Sequence, residues 1–444
     1  MPEEHKRAGR EPRPEKIANL STAAAGSASV ARGVSEKWDT SYEWKAVTLL
    51  GLGFGLVGLD RWIIAPLFPS MMKDLGLGYQ QLGNLIGVLG LSWGFFAIVM
   101  GGLSDRIGHR KVLIPAILVF SLLSGFSGFA TGFVTLALIR AVMGLSEGSF
   151  CPTSFAATAD ASLPKRRGLN QGLQQSTFAL FGLGFAPIIA TQLLQIVPSW
   201  RYVFVVVAIP GLILAGLMAL VLRDPPHIAN KTERPGGHPW SKIFHSRNIL
   251  VSMFALFCAM CGVFVLSAMT PNYLVDYLHL TTAQMGFVTS ALGFGGFIGQ
   301  FALPGLSDIL GRKVVAITGF LATAVLIRVF ISVGPDPTML FIVLFLISLC
   351  CLGLVALLTG PIATESAPVG LVSSAIGIVV GAGEIFGGGV APSLAGYIAQ
   401  HYGIQNVLYL ALGGVTAGVV VCFFLHETAP RRLHREAVAA AAGS

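Results

Sequence analysis

Twelve apolar stretches, each long and separated from the next by a short polar break, dominate the pattern of this 444-residue chain. They fall near 45–70, 81–101, 111–131, 134–158, 169–195, 201–222, 248–275, 283–303, 313–333, 338–362, 370–397 and 404–425. A helix needs about 20 apolar residues to cross the hydrocarbon of a bilayer. The pattern therefore predicts an all-α polytopic membrane protein of twelve transmembrane helices. Residues 1–44 are polar, mixed in charge and without the apolar core of a signal peptide, and read as a disordered cytoplasmic tail. Residues 223–247 gather Pro225, Pro226, Pro235, Gly236, Gly237 and Pro239, and read as a cytoplasmic linker. It divides the chain into six-helix blocks at 45–222 and 248–426, with 427–444 as a second tail.

Composition agrees with burial in lipid. The chain is 54% hydrophobic and 11% charged, where soluble domains carry roughly 25% charged residues. Its 54 glycines suit helices that approach closely in a bilayer. The pI of about 9.3 is no sign of nucleic acid, because the basic residues cluster in alternate loops. Arg106, Arg110, Lys111, Lys165, Arg166, Arg167, Arg312 and Lys313 all fall on one side, which sets both termini in the cytoplasm of a cell with this chain in its inner membrane. All six cysteines lie inside apolar runs, so Cys258 and Cys261, although spaced C-x-x-C, read as packing residues. The chain contains no G-x-x-x-x-G-K-[ST] phosphate loop, no nucleophile–base pair and no metal-ligand cluster facing water. Enzymatic chemistry, nucleotide-driven pumping and a cofactor are thus not expected.

Ionisable residues at bilayer depth carry the functional signal. Asp60 and Arg61 lie in the first run, Arg140 and Glu147 in the fourth. Each costs at least about 2.5–3.5 kcal/mol in hydrocarbon, so such residues are kept where they pair and face a polar cavity. Arg140 and Glu147 are two helical turns apart and share one face. Two acids can take up protons, and two arginines can hold an anion. With the site empty each arginine is expected to pair with a carboxylate. A bound organic anion would compete for Arg61 or Arg140, and the displaced carboxylate would take a proton. Anion and proton would then favour each other's binding. The bland reading is an ion-pair network that merely locks helix 1 to helix 4.

The two blocks share a repeat. Gly102-Leu103-Ser104-Asp105 runs into Gly108-His109-Arg110-Lys111 after the second run, and Gly305-Leu306-Ser307-Asp308 into Gly311-Arg312-Lys313 after the eighth. Homologous halves around a central site are an architecture of alternating access. This loop, its echo and the 6+6 layout resemble the major facilitator superfamily from Trp44 to Glu427. The resemblance implies two pseudo-symmetric six-helix bundles. It also implies a cytoplasmic gate latched by Asp105, Arg106, Gly108, Arg110, Asp308, Gly311 and Arg312, with Arg106 and Arg110 bridging to acids across the interface.

The string from Arg140 through Gly144, Glu147, Gly148 and Phe150 to Pro152, with Asp60-Arg61, resembles the anion:cation symporter branch of that superfamily. The segment Trp200-Arg201-x-x-Phe204 agrees. The resemblance implies proton-coupled uptake of a small organic anion such as a sugar acid or other carboxylate. It gives proton coupling to Asp60 and Glu147, and substrate binding to Arg61 and Arg140. Further candidates for the substrate are Gln174, Gln175, Asn272, Tyr273 and Glu384. At Glu384, within Gly381-Ala-Gly383-Glu384-x-x-Gly387-Gly388-Gly389, relatives more often show a neutral polar residue. A third acid there could repel a dianion, bind a cationic group or carry another proton. The partners expected are the anion, protons and the lipid bilayer, with no nucleic acid and a single chain sufficing as a monomer. Competing readings are proton-driven drug or metabolite efflux, whose G-P-x-x-G-G kink is missing at Gly184–Ile189, a spinster-like lysolipid carrier, and a non-transporting sensor.

Overall fold

A computed structural model describes residues 38–163, 166–223, 241–368, 372–429 and 432. Most of the expected first tail (1–37), linker (224–240) and second tail (430, 431 and 433–444) lies outside the described residues. Twelve helices are long and apolar enough to cross a membrane. They are α1 (Thr40–Leu75), α2 (Tyr79–Ile107), α3 (His109–Ser127), α4 (Phe133–Ala161), α5 (Arg167–Ile196) and α6 (Trp200–Val221). The second set comprises α7 (Arg247–Tyr277), α8 (Thr282–Leu310), α9 (Arg312–Ser332), α10 (Pro337–Ser366), α11 (Ala375–Tyr402) and α12 (Ile404–Phe423). No strand occurs among the described residues.

The helix ends are set by local chemistry. Gly76, at φ 63°, closes α1 in the left-handed conformation that glycine adopts without penalty. Asp336 accepts from the amides of Thr338 and Met339 ahead of Pro337, and Thr281 with Gln284 forms a capping box on α8. In the twin loops, Gly108 and Gly311 take φ 99° and 102° and turn α2 into α3 and α8 into α9. Inside α1 the helix is interrupted at Ile63. Pro66 lacks the amide that would bond the Trp62 carbonyl, so the sequence loosens α1 just past Asp60 and Arg61.

Packing repeats between the two sets. α2 packs on α4 as α8 packs on α10, and α3 on α6 as α9 on α12. Between the sets, α2 runs against α11 and α5 against α8. Glycine lets these backbones meet: a Cβ at Gly148 would lie 2.4 Å from the Trp93 carbonyl oxygen of α2, and one at Gly299 2.0 Å from that of Leu349 in α10. Wide π turns interrupt α5 at Leu180–Phe185, α7 at Tyr273–Tyr277, α10 at Leu358–Ile362 and α11 at Glu384–Val390. Such turns shift the side chains beyond them and recur at functional sites.

Two acids, one buried and one half-buried, hold the twin-loop end. Glu43, expected in the tail, is instead fully buried in the first turns of α1. It accepts from Arg166 at 2.6 Å, from Asn170 at 3.0 Å and from the amide of Leu163 at 3.3 Å, tying α1 to the α4–α5 turn. Glu427, beyond α12, accepts from the amides of Arg312 at 2.8 Å and Lys313 at 3.3 Å, and so caps the start of α9. Capping an N-terminus contributes about 0.5–2 kcal/mol. Glu427→Ala is therefore expected to lower the thermal unfolding temperature of detergent-purified protein, with an unchanged temperature counting against the cap.

Candidate functional site

Five ionisable side chains converge between α1, α4 and α11. Asp60, Arg61, Arg140, Glu147 and Glu384 are all buried. Asp60 accepts a 2.7 Å hydrogen bond from the Ser124 hydroxyl, which ties α1 to α3. Arg140 donates through Nη1 to the backbone carbonyls of Asp60 at 3.0 Å and Arg61 at 3.2 Å, beside the interruption of α1. Arg61 reaches the other six-helix set: its Nη2 lies 2.8 Å from Oε2 of Glu384. Both carboxylate oxygens of Glu147 are buried without a hydrogen-bond partner. That carboxylate lies within electrostatic range of Asp60, Arg61, Arg140 and Glu384.

The pairing differs from the expectation of two arginine–carboxylate pairs between helices 1 and 4. Arg61 pairs with Glu384 of α11, and Arg140 bonds carbonyls rather than an acid. The reason is local. Glu384 opens the wide turn of α11, and Gly388 one turn on leaves the space where the two groups meet. A Cβ at Gly388 would stand 2.5 Å from Glu384 Oε2 and 3.0 Å from Arg61 Nη2. Aromatic rings wall the guanidinium, with Arg61 Cζ 4.9 Å from the centre of Phe264, 5.6 Å from Trp62 and 5.7 Å from Trp93. These distances are within cation–π range.

The site keeps unused hydrogen-bonding capacity. Nε and Nη1 of Arg61, Nε and Nη2 of Arg140 and both oxygens of Glu147 are buried and unpartnered. Orphaned buried polar groups cost about 1–3 kcal/mol each and are uncommon in folded proteins. Guanidinium donors beside a proton-accepting carboxylate can hold an anion and a proton at one place. Among the described residues no cluster of three or more His, Cys, Asp and Glu is arranged to hold a metal ion, and all six cysteines are free.

The other candidates divide. Gln174 is engaged by its neighbours, donating to Ser154 at 2.7 Å and accepting from Thr158 at 2.5 Å, which fastens α5 to α4. Gln175 is half-buried. Asn272 donates to Asp276 at 3.1 Å while its Oδ1 stays unpartnered, and Tyr273 stacks on Tyr277 at 5.3 Å. Glu384, offered as a substrate residue, is the ion-pair partner of Arg61. In the twin loops, the side chains of Asp105 and Arg106 lie outside the description. Arg110 donates to the Ala219 carbonyl of α6. Arg312 pairs with Asp308 at 2.6 Å and Glu365 at 2.8 Å. Arg312 thus bonds within its own set, to the end of α8 and the end of α10. His109 with Asp160, 3.2 Å apart, repeats in the first set the placement of Arg312 with Glu365.

Sequence reasoning named Asn272 and Tyr273 near the opposite end but missed the residues that join the two sets there. There the Tyr79 hydroxyl of α2 donates to Asp276 of α7 at 2.9 Å, and the Tyr79 amide to the Gln400 side chain of α11 at 3.0 Å. These bonds join the two sets. The signal lay in Asp276 and Tyr277, polar residues closing an apolar run four residues past Asn272.

Comparison with known proteins gives a consistent picture. The Major Facilitator Superfamily profile matches residues 50–379 and 252–442. A hexuronate transporter of Bacillus subtilis (strain 168) is 30% identical over 288 residues, 61% of this chain and 68% of that protein. A probable 4-methylmuconolactone transporter of Cupriavidus pinatubonensis is 26% identical over 368 residues, 80% of this chain and 84% of that one. Among solved structures, a bacterial homologue of the human lysosomal transporter Spinster, inward-facing and occupied, superposes with a TM-score of 0.73. It is 16% identical and covers 87% of this chain and 97% of its own. With its twelve spanning helices, this chain is a multi-pass membrane transporter and belongs to the Major Facilitator Superfamily.

Proposed function

We propose that this transporter takes up a small organic anion, of the sugar-acid or related carboxylate class, together with protons by alternating access. The observation that carries the reading is Glu147. It is a fully buried carboxylate with no hydrogen-bond partner, within electrostatic range of two arginines that each keep donors free. An incoming carboxylate satisfies the free nitrogens of Arg61 and Arg140 and weakens their hold on the acids. Glu147, and Asp60 behind it, then take up protons, because an uncompensated charge is costly in a low-dielectric site. Solute and proton therefore load together. The hexuronate transporter among the relatives supports an acidic solute. The basic twin-loop end faces the cytoplasm of the inner membrane under this proposal, and the loops latch when that end closes. The likeness to the Spinster homologue is one of fold at 16% identity and adds nothing for a lipid solute.

The test is uptake of labelled D-glucuronate and a panel of other organic acids into proteoliposomes. With the outside acidified by one pH unit, a coupled solute is expected to accumulate inside, up to about tenfold per proton carried. Flux of every acid indifferent to the proton gradient, or export driven by proton entry, would sink the proposal.

A further inference from the structure

We infer that Glu384 is a built-in stand-in for the solute's carboxylate: it occupies Arg61 until a solute displaces it, and so restricts the site to monoanions. The inference rests on the reading under Proposed function and deepens it. Glu384 Oε2 sits 2.8 Å from Arg61 Nη2, and both side chains are buried. This is the charge-assisted contact a solute carboxylate would make with a guanidinium. The carboxylate comes from α11, whereas the four other ionisable groups belong to α1 and α4. It is held in place by the wide turn that it opens and by the missing side chain at Gly388.

The charge balance then sets specificity. Around Glu384, Arg61 approaches from α1, and Glu147 and Cys151 of α4 lie within electrostatic range. α2 and α7 bring uncharged neighbours: Gly94 lies against Glu384 itself, Ile98 against Gly381, Leu256 and Met260 against Gly383, and Phe264 against Gly388. Asp60 and Arg140 complete the constellation one step back. With every group ionised, three acids face two arginines. A monoanion that takes Arg61 leaves Glu384 unpaired, and the proton uptake proposed for this site offsets the added charge. A dianion adds a second charge to a site already short of cations. With its first carboxylate on the free donors of Arg61 and Arg140, its other carboxylate finds no further guanidinium among the described residues of the site.

The experiment compares wild type with Glu384→Gln in lipid nanodiscs, measuring binding calorimetrically at pH 8 and pH 6. The probes are D-glucuronate and galactarate as reference mono- and dicarboxylic sugar acids, backed by a panel of each class. The wild type is expected to bind monoacids more tightly at pH 6 than at pH 8 and to reject diacids. Glu384→Gln is expected to bind monoacids about 5–150-fold more tightly at pH 8, the usual span of coupled equilibria, and to gain diacids. A variant that matches wild type in affinity, pH response and diacid rejection overturns the inference and leaves the proposed function standing. Should the variant not fold, wild type decides alone, since diacids binding as well as monoacids overturn it too. Failure of every acid to bind either protein brings down the proposed function, and this inference with it.

Discussion

Glu147→Gln is expected to yield folded protein that exchanges solute across the membrane but no longer concentrates it under a proton gradient. Glutamine keeps the size and polarity of the side chain and cannot carry a proton in and out. Folding is not expected to suffer, because Glu147 makes no hydrogen bond that the change would break. Exchanging a buried carboxylate without a hydrogen-bond partner for a neutral amide lowers the desolvation cost instead. The variant separates the proposed coupling role from a purely architectural one. A lock between helices would show as lost yield and a lower unfolding temperature with coupling intact. The decisive measurement is accumulation in proteoliposomes with and without a pH step, alongside counterflow, which needs no net proton movement. If Glu147→Gln still accumulates solute as the wild type does, Glu147 is not the coupling group.

A comparable loss is expected from Gly293→Leu, for a mechanical reason. Gly293 of α8 crosses α5 so closely that an added Cβ would lie 1.8 Å from the Gly184 nitrogen and 2.2 Å from its Cα. Both neighbours are backbone, so no flexible side chain can swing aside. The crossing sits in the wide turn Leu180–Phe185, and its two helices belong to opposite sets. Overpacking a well-filled contact costs about 1–3 kcal/mol and occasionally more. Here the strain is relieved only by moving one set from the other. Transport is expected to fall at least about tenfold, with a lower unfolding temperature, since about 1.4 kcal/mol is a tenfold change in an equilibrium. Wild-type uptake by Gly293→Leu would mean that this crossing is not used in the transport cycle.

Much of the fold was legible because hydropathy along a helix in lipid is a one-dimensional signal. The run expected at 134–158 is α4 at Phe133–Ala161, and that at 313–333 is α9 at Arg312–Ser332. Asp60, Arg61, Arg140 and Glu147 stood out for the same reason, being charges where hydrocarbon forbids them, and all four are buried. Their partners were not legible. The contact of Arg61 with Glu384 spans 323 residues of sequence and depends on a π turn, which a 3.6-residue period cannot reveal. Arg140 bonds backbone carbonyls, acceptors present at every position and therefore silent in sequence. Glu43 falls in the expected tail because polar residues run up to it, yet a buried acid at a helix end looks the same in sequence as a solvated one. Gln174 illustrates the converse: a polar residue in a spanning helix drew a ligand role, while Ser154 and Thr158 already satisfy its amide.

The Tyr79 hydrogen bonds at the rim opposite the twin loops are individually weak. Tyr79 spans the two sets there through one hydroxyl and one amide. A neutral hydrogen bond contributes only about 0.5–1.5 kcal/mol net, and one to a carboxylate such as that of Asp276 about 1.5–3 kcal/mol. The pair therefore amounts to a few multiples of thermal energy, enough to favour the shut arrangement without imprisoning the molecule in it. A reciprocating machine depends on such near-balance, since a rim riveted by desolvated ions would stall each stroke on the same side.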